Sequence, residues 1–186
     1  MKKSPDLLCR HRSLLVVIDL QEKLLPVIPD GESIVRKAGW LLKAASLFGI
    51  PALLTEQYPQ GLGQTVKDLP IEESDAIKVL EKTTFSCREQ FEALERLQEQ
   101  GRDQAVICGV EAHICVLQSC LDLKSLGFEV FLVEDATGSR CQRNRESAIQ
   151  RVRQAGGFTA VSESVLFEWC EDARDERFKN ISRWIR

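Results

Sequence analysis

Three chemically capable side chains lie at every second position of one short stretch of the sequence, AVICGVEAHIC. Glu111, His113 and Cys115 follow an apolar run typical of a buried strand and precede a helix-like run. A carboxylate, an imidazole and a thiol this close together could form a metal site, a complete catalytic triad, or one nucleophile with two bystanders. The other residues of the chain must distinguish among these three arrangements.

Cys115 is the strongest candidate because it lies where a predicted strand turns into a helix. The positive end of a helix dipole lowers the pKa of a nearby thiol, and the thiolate is the nucleophilic form. We therefore predict that Cys115 is a nucleophile with a lowered pKa; the alternative is a buried cysteine without a chemical role. Cys108 and Cys120 lie within the strand and the helix, where we expect packing residues.

A cysteine nucleophile needs a group that accepts its proton and a group that offsets developing charge. Asp19 ends the first apolar run, SLLVVIDLQ, and Lys82 follows the extended segment DAIKVL. Asp19 is the candidate base, and the positive charge of Lys82 is expected to lower the pKa of both the thiol and the carboxyl. Taken singly, Asp19 could instead cap a loop and Lys82 could be a solvated surface residue.

His113 is a poor partner for Cys115 because a general base must point at the sulfur, not along the same turn. We expect His113 to line a pocket or contact another subunit, with a structural histidine as the alternative. The sequence contains only two histidines, His11 and His113, and no other residues show zinc-like spacing. No metal and no cofactor are therefore predicted.

An arginine-rich segment, SRCQRNRESAIQRVRQ, could form a patch for anions or nucleic acid. The same segment contains an apolar stripe, so its arginines are more simply explained as the solvated face of a helix. Arg140 is kept as an exception because it precedes this helix, near the end of a predicted strand. The apolar stripe consists of Ala148, Ile149, Val152 and Ala155.

Short apolar runs alternate along the chain with segments of helical periodicity. The predicted strands are SLLVVIDLQ, IPALLTEQ, DAIKVL, DQAVICGV, EVFLVED and FTAVS. The predicted helices are ESIVRKAGWLLKAASLFG, REQFEALERLQEQG, ICVLQSCLDLKSLG and QRNRESAIQRVRQAGG, with Val165 to Arg186 mostly helical. This alternation predicts an α/β fold with a parallel sheet covered on both faces.

In such a sheet the ligand crevice forms at the carboxyl ends of the strands, so residues at these ends are site candidates. The candidates after the first five predicted strands are Asp19, Glu56 with Gln57, Lys82, Glu111 to Cys115, and Asp135.

Composition limits the class of protein and its partners. The 186 residues show no linker, so we predict one domain over residues 1–186. The formal net charge of −3 disfavours nucleic acid and acidic membrane surfaces and favours a small-molecule substrate. The N-terminus lacks an apolar signal region, and the seven scattered cysteines suit a reducing compartment, so a cytoplasmic protein is predicted.

Asp19 in VVIDLQ, Lys82 in LEKTTFSC and Cys115 in GVEAHICVLQS together resemble the isochorismatase-like cysteine hydrolases. The resemblance extends from about Leu14 to Val165. The segments TEQYPQGLG and GVEAHICVLQ are similar to the isochorismatase-domain subgroup, whose substrates are largely unassigned. The resemblance implies a three-layer αβα sandwich with a six-stranded parallel sheet, an Asp19-Lys82-Cys115 triad, and a homo-oligomer.

The resemblance also implies a cis peptide bond between Val110 and Glu111, with the N–H groups of Glu111 and Cys115 forming an oxyanion hole. Cys115 would then attack a carbonyl-like carbon, Asp19 would carry the proton to the leaving group, and water would hydrolyse the thioester. The segment TEQYP lacks the metal-binding histidine of the nicotinamidase branch, which argues against a metal and against nicotinamide as substrate.

We accordingly predict a metal-independent cysteine hydrolase that acts on a small carbon–nitrogen substrate. Gln57, Tyr58 and Phe85 are its predicted pocket walls, with ordinary packing as the alternative. Two other functions stay open: a ligand-binding or redox-responsive protein that uses only a reactive Cys115, and a vinyl-ether hydrolase that does not need the cysteine.

Overall fold

A computed structural model describes residues 4–71, 76–90 and 101–186, and its central feature is a six-stranded sheet in which all neighbouring strands are parallel. The predicted α/β fold and six-stranded parallel sheet are therefore confirmed. The strands are β1 (Ser13–Ile18), β2 (Ala52–Gln57), β3 (Ile77–Lys82), β4 (Gln104–Val110), β5 (Glu129–Gly138) and β6 (Phe158–Ala160).

The strand order β3-β2-β1-β4-β5-β6 reverses direction at β1. The chain first builds outward from β1 to β3 and then returns to place β4 on the other side of β1. Ile18 at the end of β1 pairs with Thr55 of β2 and with Gly109 of β4, and Gln57 pairs with Lys82. The carboxyl ends of β1 to β4 thus meet at the point of reversal, where open parallel sheets form their ligand crevice.

Helices cover both faces of this sheet, which makes three layers. Alternate residues of β1 enter the two cores: Leu15 and Val17 on one face, and Leu14, Val16 and Ile18 on the other. The first core also receives helices α1 (Gly31–Phe48), α5 (Ser162–Cys170) and α6 (Phe178–Trp184), and the second receives α3 (Leu117–Ser125) and α4 (Gln142–Gln154). A short helix, α2 (Pro59–Leu62), follows β2.

The structure refines one predicted helical segment and describes only the start of another. The segment after Val165 consists of two helices, α5 and α6, because Glu171 adopts a left-handed backbone with φ 69° that ends α5. Residues 91–100 of the predicted helix REQFEALERLQEQG lie outside the described residues, and its first residues form a 3₁₀ turn, Cys87–Gln90. In the described parts of the chain, no helix is long and apolar enough to cross a membrane.

Gly109 brings β4 unusually close to β1, next to the reversal point. Its φ of +124° is rarely adopted by residues with a side chain, and a Cβ at this position would lie 2.0 Å from the carbonyl oxygen of Ile18. The register between β4 and β5 shifts between Ile107 and Gly109, so the strand is irregular at the same place. Glycine is required here, just before the segment that carries Cys115.

Candidate active site

Asp19 follows the last residue of β1 and is completely buried. Its backbone adopts a left-handed conformation with φ 52°, which aspartate tolerates better than most residues. The Oδ1 atom accepts a hydrogen bond of 2.6 Å from the Thr55 hydroxyl, and the Asp19 N–H donates to the Thr55 carbonyl at 3.1 Å. Thr55 on the neighbouring strand therefore fixes both the backbone and the carboxylate.

Lys82 is the last residue of β3, and its side chain has no exposed surface. The ammonium Nζ donates to Asp19 Oδ2 at 2.8 Å and to Gln57 Oε1 at 2.7 Å. It also contacts the carbonyl oxygens of Thr84 and Phe85, at 3.3 and 3.1 Å. A buried charge requires such partners, because the cost of removing it from water must be offset by hydrogen bonds and opposite charge.

Gln57 was predicted to line the pocket, and the structure places it beneath Lys82 as a buried hydrogen-bond partner. Its amide donates to the carbonyl of Thr83 at 2.7 Å, and its own N–H donates to Gln21 Oε1 at 2.8 Å. Gln21 and Thr55 were not identified from the sequence. A signal was present in the sequence, since Thr55 begins the polar second half of β2 and Gln21 follows β1 by three residues.

Cys115 lies in a π-helical turn, Ala112–Val116, that joins β4 to α3. The residue is 6% exposed, and the charges of Asp19 and Lys82 both act on the pKa of its thiol. Burial, followed by the negative charge of Asp19, raises the pKa of this thiol to about 12, although Lys82 acts in the opposite direction. The predicted lowering of the Cys115 pKa is therefore wrong, because desolvation and the charge of Asp19 outweigh the opposing charge of Lys82.

The pKa of Asp19 is also raised, and burial is the main cause. The charge of Lys82 and the hydrogen bonds from Lys82, Thr55 and Cys115 act against this effect without cancelling it. The predicted direction of the Lys82 influence is thus correct for both groups, but it is not the largest influence on either. A carboxylate with a raised pKa is a stronger base for the neighbouring thiol proton.

The Val110–Glu111 peptide bond, at the start of this turn, is cis in the structure. The carboxylate of Glu111 accepts hydrogen bonds from the main-chain N–H and the Nε of Arg140. The imidazole Nδ1 of His113 lies 3.0 Å from the Ser139 hydroxyl, which agrees with the structural alternative for this residue. The aromatic rings expected to form pocket walls are on the surface, with Tyr58 54% and Phe85 53% exposed.

Two carboxylates predicted at strand ends have structural roles elsewhere. Asp135 lies within β5, which continues to Gly138, and its carboxylate accepts the N–H and hydroxyl of Ser162 at the start of α5. The prediction that Asp135 follows the fifth strand is therefore wrong. Glu56 accepts the N–H of Thr65 at 2.6 Å. Over the described residues, no group of three or more metal-ligating side chains comes together.

Comparison with known proteins identifies the family. The isochorismatase domain matches residues 13–164 of the chain. The mouse isochorismatase domain-containing protein 2A is 41% identical over 177 residues, which cover 94% of this chain and 82% of the mouse protein. The chain belongs to the isochorismatase family. It is accordingly a hydrolase of this family.

Solved structures of isochorismatase-like proteins share the fold over nearly their whole length. The MAR1 ribonuclease of Caenorhabditis elegans is 33% identical, with a TM-score of 0.88 and coverage of 96% of this chain and 91% of that chain. The YcaC gene product of Escherichia coli, described as an octameric hydrolase of unknown specificity, is 24% identical with a TM-score of 0.87, covering 99% of this chain and 91% of that chain. This second likeness shows the fold alone.

Proposed function

We propose that the protein is a metal-independent cysteine hydrolase of small amide-like substrates, with Asp19, Lys82 and Cys115 as its catalytic residues. One observation carries this proposal: a buried carboxylate binds the ammonium of Lys82 at 2.8 Å, and both groups lie near enough to Cys115 to act on the pKa of its thiol. A nucleophile, a base and a cation that holds the base are the groups required for nucleophilic acyl transfer.

In the proposed reaction the Cys115 sulfur forms a bond to the amide carbon while Asp19 takes the thiol proton. The backbone N–H groups of Glu111 and Cys115 stabilise the oxyanion. Asp19 passes its proton to the nitrogen as the carbon–nitrogen bond breaks, which releases an amine and leaves a thioester. Water then attacks the thioester, giving its proton through Asp19 to the departing sulfur and producing a carboxylic acid.

The raised pKa of Cys115 determines how the thiolate arises. Because burial and the charge of Asp19 raise the pKa of the thiol to about 12, the thiol is protonated at neutral pH. A preformed thiolate is therefore not the resting state, and proton transfer to Asp19 accompanies attack on the substrate. Two backbone contacts support Tyr58 and Phe85 as pocket walls: the Tyr58 N–H donates to the Lys82 carbonyl at 2.8 Å, and the Phe85 carbonyl contacts Lys82 Nζ.

The alternative of a redox-responsive protein is less favoured, since redox-sensing cysteines are accessible and have low pKa values. Cys115 is 6% exposed and has a raised pKa. The ribonuclease named among the relatives suggests phosphodiester hydrolysis as another candidate. Here the buried cation of the site, Lys82, is already held by Asp19 and Gln57, which disfavours a charged phosphodiester.

The proposal is tested with a panel of small amides and ureides, by measuring release of ammonia or amine. Cys115→Ala, Asp19→Asn and Lys82→Met are each expected to lose about 10³-fold or more in kcat/KM. Cys141→Ala, which changes an exposed cysteine, is the matched control and retains activity. Turnover by Cys115→Ala would favour the vinyl-ether hydrolase, and cleavage of an RNA substrate without amide cleavage would overturn the proposal.

A further inference from the structure

The carboxylate of Glu111, four residues before the nucleophile in the chain, is buried but takes no part in the proposed reaction. Its side chain is 8% exposed, and both of its oxygens contact the same arginine. Oε2 accepts the main-chain N–H of Arg140 at 2.9 Å and its Nε at 3.1 Å, while Oε1 lies 3.0 Å from Nε. A buried carboxylate held by three charge-assisted or main-chain contacts is a fixed point in the structure.

The backbone of Glu111 closes the turn that carries Cys115. The Glu111 carbonyl accepts the N–H groups of Ile114 and Val116, at 3.0 and 3.3 Å, on either side of the nucleophile. Arg140 thus binds the side chain of Glu111, whose backbone carbonyl accepts the hydrogen bonds of this turn. A displacement of Glu111 would move the backbone around the Cys115 sulfur.

A second contact from the neighbouring residue reinforces this arrangement. Ser139 precedes Arg140 directly after β5, and its hydroxyl lies 3.0 Å from His113 Nδ1. The two consecutive residues therefore hold two alternate residues of the turn, Glu111 and His113. These polar contacts directly follow the last residue pair of β4 and β5, in which Val110 lies opposite Gly138.

We propose that Arg140 is a positioning residue that acts through the Glu111 carboxylate to hold the Cys115 turn in its reactive geometry. This inference rests on the proposed function, because it assigns Glu111 and Cys115 to the reacting site. The exposed part of Arg140 is large, at 60% of its side chain, so replacing it disturbs little of the core. Misplacement of a reacting group by about 1 Å can cost about 100-fold in rate.

The test uses p-nitrophenyl acetate as an acyl donor and follows release of p-nitrophenolate by stopped flow. The Cys115 sulfur bonds to the acetyl carbon, the carbon–oxygen bond breaks, and the thiol proton passes to Asp19. The rate of p-nitrophenolate release by Cys115→Ala is subtracted, because it measures the reaction of the remaining thiols. Arg140→Ala is expected to slow acylation by about 10- to 100-fold with an unchanged melting temperature.

Three comparisons separate positioning from a general structural effect. Arg143→Ala changes a neighbouring exposed arginine and is expected to acylate at the wild-type rate. In a Glu111→Ala background, Arg140→Ala is expected to cause no further slowing. Added methylguanidine, which can occupy the space of the missing head group, is expected to speed acylation in Arg140→Ala and not in the wild type.

Each contrary result has a distinct meaning. Wild-type acylation by a folded Arg140→Ala variant would overturn the positioning role, and so would equal slowing by Arg140→Ala with and without Glu111. If Arg140→Ala does not fold, Arg140→Lys is tested instead, because it keeps the charge and loses Nε. This variant must then acylate more slowly than the wild type while its melting temperature stays at the wild-type value. If wild-type Cys115 itself is not acylated, the proposed function fails instead.

Discussion

Lys82 Nζ lies 2.8 Å from Asp19 Oδ2, and neither side chain has exposed surface. The two charges are thus removed from water together, and each is the main compensation for the other. Removing one member of such a pair leaves an uncompensated buried charge, whereas removing both does not. The pair therefore links the stability of the fold to the chemistry proposed for Cys115.

Lys82→Met is expected to lower the free energy of unfolding by about 3 to 5 kcal/mol, because Asp19 remains buried without its cation. The double variant Lys82→Met/Asp19→Asn should recover most of this loss. Urea denaturation measures both values, with Lys43→Met, at an exposed lysine, as the control. A single variant as stable as the wild type would mean that Asp19 is not compensated by Lys82.

The raised pKa of Cys115 predicts slow alkylation at neutral pH. The thiol pKa of about 12 means that the iodoacetamide rate at Cys115 rises about tenfold per pH unit from pH 7 to 11. Asp19→Asn removes the anion that raises the thiol pKa and leaves Lys82 to lower it. This variant should therefore react faster than the wild type at pH 7, although its turnover is lost.

Mass spectrometry resolves this alkylation at each cysteine, and the exposed Cys141 provides an internal reference. A wild-type rate that levels off below pH 9 would show a preformed thiolate at Cys115. Such a result would contradict the proposed proton transfer to Asp19 during attack. Slower alkylation of Asp19→Asn than of the wild type would contradict the assigned cause of the raised pKa.

Gly109→Ala is expected to destabilise the protein severely, because its Cβ would overlap the Ile18 carbonyl oxygen and its φ is unfavourable. The loss should be about 3 kcal/mol or more. Gly49→Ala is a matched control: Gly49 also has a positive φ, of +65°, but nothing lies within 4 Å of its added Cβ. That variant should lose only about 1 kcal/mol. Equal losses in thermal unfolding would exclude the close approach of β4 to β1 as the cause.

Tyr58 is the only tyrosine of the chain, so 3-fluorotyrosine gives a single ¹⁹F resonance beside the proposed pocket. Alkylation of Cys115 by iodoacetamide is expected to shift this resonance. Gly61→Ala should also shift it, since an added Cβ would lie 2.5 Å from the Tyr58 ring. Alkylation at Cys141 is the control. An unchanged resonance after modification of Cys115 would exclude Tyr58 as a wall of the pocket.

The parallel sheet could be predicted from sequence because apolar runs and helical periodicity alternate clearly, with glycine at helix ends. The rule for carboxyl ends of strands then selected Asp19 and Lys82, which the structure brings into contact, and Cys115, whose pKa both of them influence. The same rule misplaced Asp135, because the continuation of β5 to Gly138 has no distinct pattern in the sequence.

The electrostatics of the site could not be predicted in the same way. The pKa of Cys115 depends on a balance between its burial, the charge of Asp19 and the charge of Lys82. A sequence gives neither the extent of burial nor the distances between these groups. The role of Gln57 depends on its position opposite Lys82 in the neighbouring strand. That position is set by the register of β2 and β3, which the sequence does not give. A single domain, a homo-oligomer and a cytoplasmic location stay predictions.

The reversal of strand order at β1 has a consequence for the making of the protein. Asp19 and Lys82 belong to the first 90 residues, and Cys115 arrives only with the strand that inserts on the other side of β1. During synthesis, therefore, the segment that carries the proposed base Asp19 and the cation Lys82 is made before the proposed nucleophile Cys115. A chain split between β3 and β4 would yield two fragments, and neither would contain all three proposed catalytic residues. Only reassociation of the fragments would complete the site.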